Sequence, residues 1–140
     1  MIEPLEQLQQ SLKGQGSLTE PRRIIFTALL YQEPQTMSQL VAACQGQVDR
    51  ASVYRTIALF EKLGIVQRLQ IGWKYKLELS DAFHRHHHHL TCLKCGQVIP
   101  FDGDQALERK LQTIAEAKSF KIQAHQLEIQ GLCQACQRKI

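Results

Sequence analysis

The sequence predicts an α+β chain in two parts. A winged helix-turn-helix is expected over residues 1–80, and a small α/β unit braced by metal over residues 84–140. Three observations predict this. Three short helical patterns run into a two-stranded alternating ribbon, and every histidine and four of the five cysteines lie downstream of residue 80. Two Cys-x-x-Cys pairs mark the second part.

Thr19 stands as an N-cap before Glu20-Pro21, and Ile24, Ile25, Ala28 and Leu29 recur at helical spacing. Gln32-Glu33-Pro34 breaks that pattern. Thr36, with Gln39 three residues on, forms a capping box for a short helix carrying Leu40, Val41 and Ala43, which Gly46 ends. Asp49 caps a third helix whose stripe is Val53, Ile57 and Phe60, joined by Leu59 and Leu63, with Gly64 as its stop. Val66, Leu69 and Ile71 lead to a turn at Gly72. Beyond it Tyr75, Leu77 and Leu79 alternate with Lys74, Lys76 and Glu78, the period of a half-buried strand. In the second part, His86–Cys92 and Gln97–Phe101 read as strands. A helix surrounds Leu107, Leu111, Ile114 and Ala115, and a strand covers Ile122–Gln130. So thin a unit cannot hold together by burial alone, and a metal staple is expected.

Seventeen Lys and Arg against thirteen Asp and Glu give a formal charge of +4, which permits a polyanionic partner without demanding one. No apolar run approaches the ~20 residues of a membrane span. The N-terminal stretch MIEPLEQLQQ is acidic and polar, unlike a signal or transit peptide. A soluble cytoplasmic protein with no membrane partner is therefore expected. There is no HExxH, no phosphate-cradling glycine loop and no nucleophile elbow, so an enzyme is not expected.

In a helix-turn-helix the second helix of the motif enters the major groove by its N-terminal residues. Here that helix opens Asp49-Arg50-Ala51-Ser52-Val53-Tyr54-Arg55-Thr56. With Val53 and Ile57 turned to the core, Arg50, Ser52, Tyr54, Arg55 and Thr56 are expected outside, where guanidinium, phenol and hydroxyl groups suit base edges and phosphates. Arg22, Arg23, Lys74 and Lys76 are candidate clamps on flanking backbone.

Cys92-x-x-Cys95 and Cys133-x-x-Cys136 have the spacing of two chelating knuckles that close one tetrahedral Zn2+ site. Four thiolates leave no open coordination position, so this zinc is structural. Cys44, alone in a helical pattern, reads as a small buried apolar residue. If residues 86–89 are extended, His86 and His88 share one face and His87 and His89 the other. One strand then serves two ions, with Glu108 and His125 as candidate further ligands.

Together these pieces resemble the ferric uptake regulator family of metal-responsive repressors, across nearly the whole chain. The motifs that carry the resemblance are Pro21-Arg22, Ala51-Ser52-Val53-Tyr54-Arg55, Leu63-Gly64-Ile65-Val66, His86–His89 followed by Cys92-Leu93-Lys94-Cys95-Gly96, and the Cys133/Cys136 pair. The resemblance implies a DNA-binding domain, a hinge near Leu79–Phe83 and a C-terminal dimerisation domain. It also implies a homodimer whose hinge metal sets the DNA-binding domains for a palindromic operator in double-stranded DNA. It assigns base contacts to Tyr54 and Arg55, and structural zinc to Cys92, Cys95, Cys133 and Cys136. His86, His88, Glu108 and His125 match a site in the dimerisation domain, and His87 and His89 match two ligands of the sensing site.

That sensing site departs from the family pattern. Gln35 stands where iron- and peroxide-sensing branches add a histidine, and Pro100 where the peroxide branch has a carboxylate. Gln67 and Asp81 stand where the zinc-sensing branch has aspartate and cysteine, while Asp81 matches a peroxide-branch ligand. The expected set is Asp81, His87 and His89, with His84 the nearest further supplier. Two or three imidazoles with one carboxylate suit zinc, iron, manganese or nickel alike, and Fe2+, Zn2+ or Mn2+ is the expected regulatory ion. The alternative is a zinc-ribbon module for nucleic acid or protein, without metal sensing.

Overall fold

The computed structural model describes residues 2–12 and 14–139. The chain divides into two compact units between Arg85 and His86.

The first unit is four helices followed by a hairpin: α1 (Pro4–Ser11), α2 (Glu20–Leu29), α3 (Met37–Ala43), α4 (Arg50–Lys62), β1 (Val66–Ile71) and β2 (Lys74–Leu79). Local chemistry sets the helix starts. Thr19 Oγ1 accepts from Arg22 N, Thr36 and Gln39 form the reciprocal capping box, and Asp49 accepts from Ser52 N. Helix α1 was not expected from so polar an N-terminus. Its Leu8, with Leu12 just beyond it, is wholly buried in the same core as Ile25, Phe26, Leu40, Phe60 and Leu77. Strands β1 and β2 pair antiparallel from Val66↔Leu79 to Ile71↔Lys74, and Gln35 bridges to Leu77 on the far side of β2.

The expected domain end at residue 80 falls short of the unit's end at Arg85. Phe83 is buried with its ring 5.1 Å from that of Phe26, and Gln7 donates to the Ala82 carbonyl, so the segment after β2 packs with the helices.

The second unit holds β3 (His88–Cys92), β4 (Val98–Phe101), α5 (Gln105–Ala117), β5 (Glu128–Gly131) and α6 (Gln134–Gln137). The sheet order is β4-β3-β5, with β3 antiparallel to β4 and parallel to β5. All three strands start later than expected, β4 by one residue. His86 and His87 precede β3, and the strand expected over Ile122–Gln130 contracts to Glu128–Gly131, because laddering with β3 begins only at His89↔Glu128. His125 therefore lies on irregular chain, not on a strand.

The two units are held together inside by different means. The aliphatic core lies in the first. The buried residues of the second are His88, His89, Thr91, Cys92, Ala115 and Cys136, most of them ligand types. A unit that buries imidazoles and thiols in place of leucines gains little from hydrophobic burial and depends on what those groups bind.

Candidate metal centres and nucleic-acid interface

Four cysteine sulfurs converge at one end of the second unit's sheet. Cys92 ends β3, Cys95 follows in a turn closed by Gly96 at φ +80°, and Cys133 and Cys136 bracket the first turn of α6. The parallel pairing Cys92↔Gly131 and the bond from Leu93 N to Gly131 O, 2.9 Å, bring the two knuckles together. All four Sγ atoms lie within 4.8 Å of one another, with Cys95 and Cys133 3.8 Å apart and no disulfide formed. Zn–S bonds of about 2.3 Å put neighbouring thiolates of a tetrahedron about 3.8 Å apart, so the donor set fits zinc. Backbone N–H groups, first that of Cys95, pull the Cys92 thiol down to about 6. Cys136 is pushed up to about 12, chiefly by hydrogen bonding with the Cys133 thiol. Thiols so crowded cannot all ionise without a cation among them.

A second cluster joins His86, His88, Glu108 and His125. His88 Nε2 is 2.7 Å and His86 Nε2 3.4 Å from Glu108 Oε1, while His125 Nε2 is 3.0 Å from Glu108 Oε2. The two outer imidazoles stand 3.1 Å apart. Asp104 caps α5 by accepting from Leu107 N at 2.7 Å, which holds Glu108 on the first turn. Gly103 backs the site. A Cβ there would meet Glu108 Oε1 and stand 2.8 Å from His88 Nε2, so the cradle exists only because the residue has no side chain. The imidazole hydrogen bond from His88, then the nearby His125 and His86, hold Glu108 below the ordinary carboxylate range. His88 is fully buried, and its Nδ1 has no hydrogen-bond partner. Three nitrogens and a carboxylate within ligand distance of one another fit a divalent cation.

His87 and His89 turn the other way, their rings 4.5 Å apart. His89 is buried, with Nδ1 3.0 Å from Glu128 Oε1. The alternation expected of an extended segment is thus present, although only His88 and His89 belong to the strand itself. In the first unit, Asp81 is exposed on the turn after β2 and joins no cluster of three candidate ligands among the described residues. The carboxylate beside His84 is instead Glu78, buried on β2 and accepting from Gln67 Nε2 at 2.7 Å. Sequence reasoning missed Glu78 and Glu128. Glu78 lies between buried Leu77 and Leu79, and strand alternation assigns a charged residue at such a position to solvent.

On α4, Arg50, Tyr54 and Arg55 are exposed and Ser52 half-buried. Arg50 donates to the Tyr54 hydroxyl at 3.3 Å, with its guanidinium 5.4 Å from the ring centre, and Arg55 donates to Ser52 Oγ at 3.1 Å. Thr56 corrects an expectation. It is buried, because it follows Val53 by three residues and precedes Phe60 by four on the core stripe. Arg22 joins Ser52 and Arg55 in lining a groove of about 400 Å³ between the start of α2 and α4. Arg23 pairs with Glu20 on its own helix.

Residues 14–130 match the ferric uptake regulator family. The chain belongs to this family. It is 42% identical over 91 residues to the ferric uptake regulation protein of Legionella pneumophila, a match covering 64% of this chain and 65% of that one. The chain thus spans just under two thirds of the length of that relative. The corresponding protein of Vibrio anguillarum is 35% identical over 131 residues, 89% of this chain and 86% of that one. A crystal structure of the Vibrio cholerae ferric uptake regulator is similar with a TM-score of 0.71 at 30% identity, covering 90% of this chain and 99% of that chain. The helices, hairpin and zinc-type cysteine cluster described above are those of a ferric uptake regulator fold, and no described helix is long and apolar enough to cross a membrane.

Proposed function

We propose that this member of the ferric uptake regulator family is a metal-dependent DNA-binding repressor of metal-homeostasis or peroxide-stress genes. The observation that carries this is the run His86–His89. Alternate imidazoles leave on opposite sides, His86 and His88 toward Glu108 and His125, His87 and His89 toward each other. A zinc ribbon without a sensing role would leave both histidine pairs unused.

The four cysteines hold structural Zn2+, which supplies the cohesion that the second unit's small apolar interior lacks. His86, His88, Glu108 and His125 hold a second divalent cation. The regulatory Fe2+, Zn2+ or Mn2+ takes its imidazoles from His87 and His89, with Asp81 and His84 as further ligands. A cation regulates only through its differential affinity for the DNA-competent arrangement.

Arg50, Ser52, Tyr54 and Arg55 read the major groove and Arg22 holds phosphate. A homodimer is supported by the second unit's exposed apolar ridge. Leu90 pairs across the sheet with Ile99 on one side and Ile129 on the other, all three 39–48% exposed, beside a 310 Å³ hollow that Leu132 also lines.

Selection from a randomised duplex pool in the presence of Mn2+, followed by mobility shift with and without chelator, tests the reading. An enriched palindrome whose binding is lost on chelation and restored by Mn2+ is expected. Enrichment that ignores the metal would favour the zinc-ribbon alternative, and no enrichment would overturn DNA recognition.

A further inference from the structure

The largest side chain in the protein lies in water. Trp73, the sole tryptophan, is 86% exposed at the tip of the β1–β2 hairpin. A lone exposed apolar residue needs no explanation in general. Here four features of the hairpin supply one.

The tip is built to present this residue. Ile71 pairs with Lys74, leaving a two-residue turn, and Gly72 takes its first position at φ +61°, while Trp73 keeps a negative φ. That is the II′ geometry, which matches the strand twist and needs glycine first. Gln70 Nε2 donates to Gly72 O at 3.1 Å across the turn.

The hairpin is also fixed to α4. Arg68 of β1 makes a two-pronged contact with Glu61 of α4, at 2.8 and 3.1 Å, and its guanidinium lies 4.1 Å from the centre of the Tyr75 ring on β2. Phe60 of α4 and Val66, Leu77 and Leu79 of the hairpin also share one core, so the base of the hairpin is held beside α4.

Charge toward its tip has one sign. From Lys62 to Leu77 there is no Asp or Glu, while Lys62, Arg68, Lys74 and Lys76 are cationic. Arg68 pairs with Glu61, Lys74 and Lys76 follow Trp73 on β2, and Lys74 Nζ sits 5.1 Å from the centre of the indole. An apolar ring beside an ammonium group suits a partner with a phosphate edge and apolar sugar and base surfaces beside it.

Finally, the dimensions select the groove. Paired strands about 4.8 Å apart, with side chains, are too broad for a minor groove about 6 Å wide, but a single indole at the apex enters it edge-on. We propose that Trp73 is a minor-groove contact residue. Its ring packs on deoxyribose and base edges flanking the site read by α4, and Lys74 and Lys76, on one face of β2, lie toward phosphates of the adjoining backbone. This rests on the DNA-binding reading above and adds to it a residue and a groove.

The test uses the full chain with Mn2+ and the selected duplex. Because Trp73 is the sole tryptophan, its emission reports this contact directly. Complex formation, followed independently by anisotropy of labelled DNA, should shift the emission to the blue or quench it and lower its accessibility to acrylamide several-fold. Trp73→Ala should weaken binding roughly tenfold, the scale of one lost stacking contact, with an unchanged salt slope, and Trp73→Phe should recover part of the loss. Lys74→Ala should instead reduce the salt slope by about one. Trp73 is solvent-exposed, so these variants should melt as the parent does. The proposal is overturned if anisotropy reports a complex while emission and acrylamide accessibility stay unchanged, or if Trp73→Ala binds like the parent. Absence of any complex would instead remove the DNA-binding reading on which it stands.

Discussion

His88 Nε2 lies 2.7 Å from Glu108 Oε1, twenty residues away in sequence. The contact joins the first residue of β3 to the first turn of α5 and passes over Gly103, whose missing Cβ makes room for it. Gly103→Ala must displace either the imidazole or the carboxylate. The variant should bind Mn2+ at this site roughly 10–100-fold more weakly, as expected when ligands lose their positioning. Isothermal titration against the parent measures this, and the cysteine-bound zinc should be retained.

The opposite imidazole pair carries a different prediction. His87→Ala with His89→Ala should abolish metal-dependent operator binding while leaving the dimer and the structural zinc in place. Mobility shift, sedimentation and zinc analysis of one preparation read the three properties separately. An undiminished metal response would remove His87 and His89 from the regulatory site.

Zinc removal should unfold one unit only. The first unit holds the aliphatic core, whereas the second buries mainly thiols and imidazoles. Cys133→Ser with Cys136→Ser should therefore leave the amide signals of residues from α1 to β2 dispersed in an NMR spectrum, while those of the second unit collapse.

Helix α1 is tested by its buried leucine. Leu8 is wholly buried, so Leu8→Ala removes a filled volume from the first unit's core and should cost about 2–5 kcal/mol in urea unfolding. A neutral result would mean that α1 does not pack there in solution.

The cap on α4 makes a prediction about pH. Hydrogen bonds from the Ser52 side chain, then the Ser52 backbone N–H, hold the Asp49 carboxyl below its ordinary value. A carboxylate depressed on folding adds stability that is complete above its unfolded value, about 3.9, and that fades as pH falls through the lower folded one. In an NMR titration Asp49 should protonate below the ordinary aspartate range, and Ser52→Ala should raise it.

What could be read from the chain follows from how local each signal is. Caps such as Thr36 with Gln39, the apolar stripe of α4 and the Cys-x-x-Cys knuckles are set by neighbours within one turn. The alternation of His86–His89 is likewise a property of extended backbone, and it survives even though the strand begins only at His88. Helix α1 was legible too, since Leu5, Leu8 and Leu12 keep helical spacing, but polar composition masked it. Thr56 was misplaced because hydroxyls suit a core stripe as well as a surface.

The sequence by itself determined the order of elements, the four thiols and the division of the histidines into two pairs, because bonded geometry and side-chain period fix these over a few residues. The tertiary structure alone decided which carboxylate each histidine meets. Glu108 reaches His86, His88 and His125, and Glu128 reaches His89, only because α5 and β5 return to β3 from 20 and 39 residues away. It also decided that Glu78 is buried beside His84 and that Trp73 is exposed to water. Burial is a property of what packs around a residue, and no spacing along the chain encodes it.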